Sequence, residues 1–98
     1  MNIQAMMKQA QKLQKDMMDA KTKIDETVFE VTKSFVTVVA TGNKKIQSIK
    51  IDIENLDKDE IEMAQDLIQV AINELMDKID SEVESKMGKY TQGMPGLF

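Results

Sequence analysis

The side chains able to do chemistry in this sequence are lysines and carboxylates, because 13 lysines and 17 acidic residues occur with no arginine, histidine or cysteine. Without histidine the chain lacks the commonest general base and metal ligand. Without cysteine it has no disulfide, thiolate zinc site or thiol nucleophile. The acidic run from Asp57 to Glu60 lacks the glycine and distal glutamate of a calcium loop, and Glu82 and Glu84 point different ways on a helix. We therefore predict a protein that is not an enzyme and has no catalytic residues, metal site or cofactor.

The lysines are concentrated in the first half of the chain. Residues 1–50 contain nine lysines and five acids, a balance of +4, whereas residues 51–98 contain four lysines and twelve acids, a balance of −8. Lys8, Lys12 and Lys15 recur at spacings of four and three, which places them on one side of a helix. Such a stripe can neutralise the phosphates of a duplex, or it can serve only to keep an exposed helix soluble. Without arginine there is no bidentate guanine contact, so a duplex would be recognised through its backbone or shape.

The element that positions these lysines is a predicted N-terminal helix. Its apolar residues alternate in steps of three and four and form one narrow seam opposite the lysines: Ile3, Met6, Ala10, Leu13, Met17, Ala20 and Ile24. A helix over these residues is roughly 30 Å long, too long to pack along its whole length on so small a domain. We therefore expect part of it to project. The seam packs either on the C-terminal helix of the same chain or on a second chain.

Methionines are concentrated on this helix. Five of the nine occur within the first eighteen residues: Met1, Met6, Met7, Met17 and Met18. Their soft side chains give the helix an adaptable face. One interpretation is core filling in a dimer seam. The alternative function is a protein-interaction module that uses this Met-rich heptad face to bind a partner helix.

The middle of the chain changes to a period of two with β-branched enrichment, which predicts three strands. They cover Val28–Thr32, Phe35–Thr41 and Lys45–Ile53. Thr32-Lys33-Ser34 forms the first turn, and Gly42-Asn43, two residues tolerant of positive φ, forms the second. The third strand places Ile49, Ile51 and Ile53 on one face.

A long C-terminal helix is predicted after the strands. Asp57 and Glu60 have the spacing of a capping box, in which Asp57 accepts a free backbone N–H and Glu60 reaches back. An apolar stripe continues from Ile61 to about Met87, and Gly88 is placed to end the helix. Residues 89–98 are predicted to form a flexible C-terminal tail.

Together these elements predict an α+β fold with a long N-terminal helix, a three-stranded antiparallel β-meander and a long C-terminal helix. Residues 1–88 form a single domain. A chain of 98 residues buries a limited share of its surface, which favours a dimer that shares its core. No segment approaches the ~20 apolar residues of a membrane span.

Four segments carry a recognisable pattern. They are MMKQAQKLQ at 6–14, Gly42 with IQSIKID at 46–52, DLI at 66–68 with Ala71 and Asn73, and KMGK at 86–89 with GMPGLF at 93–98. In this order, on a chain of this length, they resemble the YbaB/EbfC family of nucleoid-associated DNA-binding proteins. The resemblance covers essentially the whole chain.

The resemblance implies a homodimer whose sheets and core helices join, with long helices projecting as a pair of tweezer-like arms. It also implies a cytoplasmic, nucleoid-associated protein that binds double-stranded DNA and alters its conformation, with consequences for gene expression. Many relatives have a glycine-rich stretch where this chain has Thr32-Lys33-Ser34-Phe35, so we expect a better ordered first hairpin. From Lys58 to Met87 there are three lysines and nine acids, which makes that arm a poor DNA contact except near Lys86 and Lys89.

We assign the DNA contact mainly to Lys8, Lys12 and Lys15. Six further lysines are lesser candidates: Lys21, Lys23, Lys44, Lys45, Lys86 and Lys89. The dimer interface implied by the resemblance is assigned to the seam and to the sheet and core helix: Ile3, Met6, Ala10, Leu13, Met17, Val36, Val38 and Ile72.

Overall fold

The computed structural model of the protein describes residues 2–91. Five elements follow one another: α1 (Ile3–Glu26), β1 (Val28–Lys33), β2 (Val36–Thr41), β3 (Ile46–Ile51) and α2 (Lys58–Thr91). The strands form one antiparallel sheet in the order β1-β2-β3. The molecule measures 72 × 19 × 14 Å, an extended shape that fits projecting helices. The α+β architecture predicted from the sequence is confirmed. No helix within the described residues is long and apolar enough to cross a membrane.

Helix α1 is stabilised at both ends by local hydrogen bonds. The side chain of Asn2 accepts from the backbone N–H groups of Gln4 and Ala5 at 3.1 and 3.3 Å, which caps the first turn. At the other end Thr27 donates from its backbone N–H to the carbonyl of Ile24 at 3.0 Å. The helix therefore begins at the first seam residue, Ile3, and ends one residue before β1.

The two hairpins differ in detail from the predicted turns. Lys33 pairs with Val36, so the first turn consists of Ser34 and Phe35, with Ser34 at a φ of 53°. In the second hairpin the N–H of Thr41 donates to the carbonyl of Lys45 at 3.0 Å across a three-residue loop. Lys44, the last residue of that loop, has the positive φ of 63°. A left-handed residue after a tight turn is the usual geometry of such loops, so the prediction of positive φ at Gly42-Asn43 is wrong.

Gly42 is instead required by a close approach between elements. A Cβ at this position would lie 1.9 Å from the carbonyl oxygen of Ile24, and the N–H of Gly42 donates to the carbonyl of Thr27 at 3.0 Å. No side chain fits there without moving the end of α1. This contact attaches α1 to the loop between β2 and β3.

The main core lies between one face of the sheet and the middle of α2. Buried residues come from β1, β2 and α2: Phe29, Val31, Val36, Val38, Ala40, Ala71, Leu75 and Ile79. Partly buried residues, among them Ile72, pack around this cluster. Val36 and Val38 have no exposed surface at all within one chain. Their assignment to a dimer interface stays a prediction, and within one chain both side chains are already covered by the core cluster that includes α2 residues.

Helix α2 begins as predicted and ends later. Asp57 accepts from the N–H of Glu60 at 2.9 Å, which confirms the cap. Oε2 of Glu60 is buried without a hydrogen-bond partner among the described residues, so this oxygen does not make the reciprocal bond of a capping box. The helix continues through Gly88 to Thr91, and residues 92–98 of the predicted tail lie outside the described part.

Packing explains why Gly88 does not end α2. Met87 and Tyr90, on either side of it, are 1% and 8% exposed and pack with Ile24 of α1. Burying two large side chains contributes several kcal/mol, which exceeds the roughly 1 kcal/mol that glycine costs inside a helix. The far end of α2 is thus covered by the last turns of α1.

Candidate nucleic-acid interface

The seam of α1 divides into a covered part and an exposed part. Met17, Ala20 and Ile24 pack on the end of α2 in the same chain. Farther toward the N-terminus the seam is open: Ile3 is 70% exposed, Met6 52% and Leu13 43%. The interpretation in which the seam packs on α2 therefore holds for its last three residues. The first four lie on a projecting segment that no other described element covers.

Lys8, Lys12 and Lys15 lie on that projecting segment and are exposed. At 3.6 residues per turn they fall within an arc of about 60°, on the side of α1 opposite the seam. Within residues 2–91 none of the three forms an ion pair. Their ammonium groups are therefore free to approach an anion without first leaving a carboxylate.

Three of the lesser lysine candidates are engaged by carboxylates. Lys21 lies 2.5 Å from Asp25, and Lys44 lies 2.6 Å from Asp80. Lys86 is 3.8 Å from Glu82, a weaker approach. Exposed pairs of this kind contribute only about 0–1 kcal/mol each, so a phosphate can compete with them. They are nevertheless less available than the lysines of the stripe.

The other three, Lys23, Lys45 and Lys89, are exposed and form no ion pair within the described residues. Lys45 follows Lys44 in the second hairpin. Lys23 and Lys89 meet Lys86 around a concavity of about 330 Å³ between the ends of α1 and α2. The structure thus brings Lys23 of α1 together with Lys86 and Lys89, which lie far from it in the chain and are neighbours on α2.

The apolar surface on β3 differs from the predicted one, because the strand ends at Ile51, so that Ile53 lies beyond it, and Ile46 joins Ile49 and Ile51. Ile46, Ile49 and Ile51 are 41%, 45% and 36% exposed. They pair in register with Ala40, Val38 and Val36, so they share the sheet face that α2 covers on β1 and β2. The alternation of isoleucines was visible in the sequence, but their lack of cover depends on where α2 lies. This surface, Ile46, Ile49 and Ile51, is called the β3 face below.

None of the described carboxylates gathers into a group of three or more that could hold a metal ion. The described surface offers lysine ammonium groups, separate carboxylates and exposed apolar side chains. Such a surface can bind an anion or another apolar surface.

Comparison with known proteins identifies the family. The YbaB/EbfC DNA-binding family matches residues 1–94. A nucleoid-associated protein of Ligilactobacillus salivarius (strain UCC118) is 44% identical over 99 residues, which cover 99% of this chain and 95% of that protein. Similar proteins of Enterococcus faecalis (strain ATCC 700802 / V583) and Oceanobacillus iheyensis are 41% and 45% identical; the matches span 98% and 99% of this chain, and 94% and 97% of theirs. The chain therefore belongs to the YbaB/EbfC DNA-binding family.

Proposed function

We propose that the protein is a cytoplasmic, nucleoid-associated protein that binds duplex DNA as a homodimer, mainly through backbone phosphates, and alters the conformation of the DNA. The observation that carries the proposal is the stripe of Lys8, Lys12 and Lys15, which are exposed, unpaired within the described residues and placed on a projecting helix. Membership of a DNA-binding family and the names of the relatives support the choice of DNA as the polyanion.

The β3 face supports a homodimer. An edge strand with unpaired backbone groups and three exposed isoleucines is a template for pairing with another chain. A second copy would bring the same strand and the same isoleucines, so a two-fold contact buries both sets at once. We assign the dimer contact to Ile46, Ile49 and Ile51, and keep the open seam residues Ile3, Met6, Ala10 and Leu13 as a second candidate contact.

The charge distribution supports contact through phosphates and a strong dependence on salt. The chain has a net charge of −4, so a dimer would carry −8 and repel DNA at long range. Attraction must come from a local cationic surface, and the projecting stripe supplies one. Each lysine–phosphate contact releases counterions and makes the negative slope of log affinity against log salt concentration steeper by about 0.9.

A dimer with two projecting stripes also supports the change in DNA conformation. Each arm can contact phosphates at a distance from the other, because the stripes lie away from the shared sheet. The path of the duplex between the two contacts is then constrained, and bending a short duplex segment costs about 1–6 kcal/mol that the added contacts can offset.

Fluorescence anisotropy with a labelled duplex at two salt concentrations tests the phosphate contact. In K8Q/K12Q/K15Q we expect weaker binding and a salt slope reduced by about 2.7 for each engaged arm. The matched control K33Q/K50Q/K58Q makes the same change of charge away from α1 and should retain most of the slope. Equal affinity and slope in both triple variants would show that the stripe is not the contact.

The open part of the seam supports a second candidate function, a module that binds a partner helix. Ile3, Met6 and Leu13 are exposed on a projecting helix, with Met7 and Met18 also more than half exposed. A pull-down from lysate treated with nuclease separates the two functions. Partners bridged by nucleic acid disappear, whereas a protein held directly by the seam persists and is lost in L13K.

A further inference from the structure

The concavity between the ends of α1 and α2 gathers positive charge around an apolar floor. Its volume is about 330 Å³, which is at the lower end of the range for small-ligand sites. The lining residues are Ala20, Lys23, Ile24, Thr27, Glu82, Lys86, Lys89 and Tyr90. Three lysines face one carboxylate, so the groove carries a local charge of +2 in a protein whose net charge is negative. We call this concavity the α1–α2 groove.

Its lysines are less neutralised than the three lysines that form short ion pairs elsewhere. Lys21, Lys33 and Lys44 each lie 2.5 to 2.6 Å from a carboxylate. In the groove the one ion pair is long, 3.8 Å between Lys86 and Glu82. Lys89 lies over the ring of Tyr90, with Nζ 5.0 Å from the ring centre, a contact that leaves the ammonium group able to donate hydrogen bonds. The ammonium groups of the groove can therefore donate hydrogen bonds to an anion.

The backbone of the groove is held in place by packing. Ile24 and Tyr90 are 5% and 8% exposed and belong to one cluster with Met87. The hydroxyl of Thr27 donates to the carbonyl of Lys23 at 2.7 Å, which fixes the last turn of α1 beside the groove. The three lysines thus extend from a rigid base, which lowers the cost of converging on one ligand.

We propose that the α1–α2 groove is a phosphate-binding site in which Lys23, Lys86 and Lys89 donate to the oxygens of one phosphate group. The group belongs either to the DNA backbone or to a small phosphorylated molecule. Lys23 and the stripe of Lys8, Lys12 and Lys15 fall within an arc of about 80° on α1, so a strand that follows the stripe can reach the groove. The DNA source of the phosphate rests on the proposed function, whereas the small-molecule source does not.

Tyr90 provides a built-in probe, because the chain has one tyrosine and no tryptophan. We would titrate the full chain with inorganic pyrophosphate and follow tyrosine fluorescence. A saturable change is expected in the wild type, with at least tenfold weaker binding in K23Q/K86Q/K89Q and unchanged binding in K33Q/K50Q/K58Q. E82Q removes the carboxylate that faces the lysines and should tighten binding about two- to fivefold. Thermal unfolding by circular dichroism establishes that each variant is folded.

The same variants in the duplex titration identify the source of the phosphate. If the groove triple variant loses affinity and salt slope relative to the control, the ligand is a DNA phosphate. If only pyrophosphate binding is lost, the ligand is a small phosphorylated molecule. A wild type that binds pyrophosphate in the groove but binds no duplex would contradict the proposed function and leave the phosphate site standing. No difference between groove and control variants in either titration overturns the site.

Discussion

The two edges of the sheet are treated differently by the rest of the chain. At β1, the ammonium group of Lys78 donates to the backbone carbonyl of Glu30 at 3.2 Å, and Lys33 pairs with Glu74 at 2.6 Å. Helix α2 therefore occupies that edge with charged side chains. At β3, all six residues are exposed. Charged side chains at an edge strand hinder its pairing with another chain, and we call the β1 edge guarded in this sense. The β3 edge lacks such contacts within the described residues and is open to pairing.

This difference indicates which edge of the sheet is open to the homodimer that we propose. A helix that covered all three strands would leave no apolar face for a partner, and one that guarded neither edge would allow open-ended strand addition. Helix α2 packs on β1 and β2. The sheet is thus left with one edge suited to closed two-fold pairing, as we propose for the homodimer.

A charge introduced on the exposed β3 edge should have the largest effect, which is on the dissociation constant of the proposed dimer. I49K places a charge at the centre of the β3 face in both copies of the proposed dimer. Burying an unpaired ammonium and losing an isoleucine on each side should weaken association by about 4 kcal/mol or more, roughly a thousandfold in dissociation constant. Molecular mass from sedimentation or light scattering across a concentration series measures it.

V28K on β1 is the matched control, because Val28 is 64% exposed and lies on the guarded edge. It should leave the mass unchanged. An I49K variant that remains a dimer at the lowest concentration would show that the β3 face is not the contact, and the open seam of α1 would become the leading candidate.

A substitution in the core between α2 and the sheet should lower the stability of the fold. L75A removes a side chain with no exposed surface from the centre of the core. Transfer and cavity effects together should lower the free energy of unfolding by about 2–5 kcal/mol. Urea denaturation monitored by circular dichroism measures this loss. Q69A, on an exposed position of the same helix, should change it by less than about 0.5 kcal/mol. A small effect of L75A would contradict the packing of α2 on the sheet.

Local signals made most of the fold predictable. The three-and-four spacing of the seam, the alternation in the strands and the cap at Asp57 each depend on residues close in sequence, and each gave an element in the right place. The stripe of Lys8, Lys12 and Lys15 was predictable for the same reason, because helical spacing alone puts it opposite the seam.

Contacts between distant segments were not predictable in the same way. The need for glycine at position 42 arises from the carbonyl of Ile24, and the end of α2 is set by Met87 and Tyr90 packing on α1. A period of two shows which residues of β3 share a face, but it does not show whether α2 lies over them. The pairing of Lys44 with Asp80 is likewise a product of the tertiary fold.

A change at the guarded β1 edge should have the smallest effect on the free energy of unfolding, and it tests directly whether Lys78 hinders association at that edge. K78M keeps an unbranched side chain that is one atom shorter and removes the donor to the carbonyl of Glu30. Loss of one exposed hydrogen bond should lower the free energy of unfolding by no more than about 1 kcal/mol. Because the edge of β1 then lacks its ammonium group, mass measurements at high concentration should show species larger than those of the wild type. K12M, which removes a lysine from the projecting stripe instead, controls for the change of charge. If K78M and K12M associate equally, Lys78 does not guard the edge, and the asymmetry between the two edges reduces to the placement of the isoleucines.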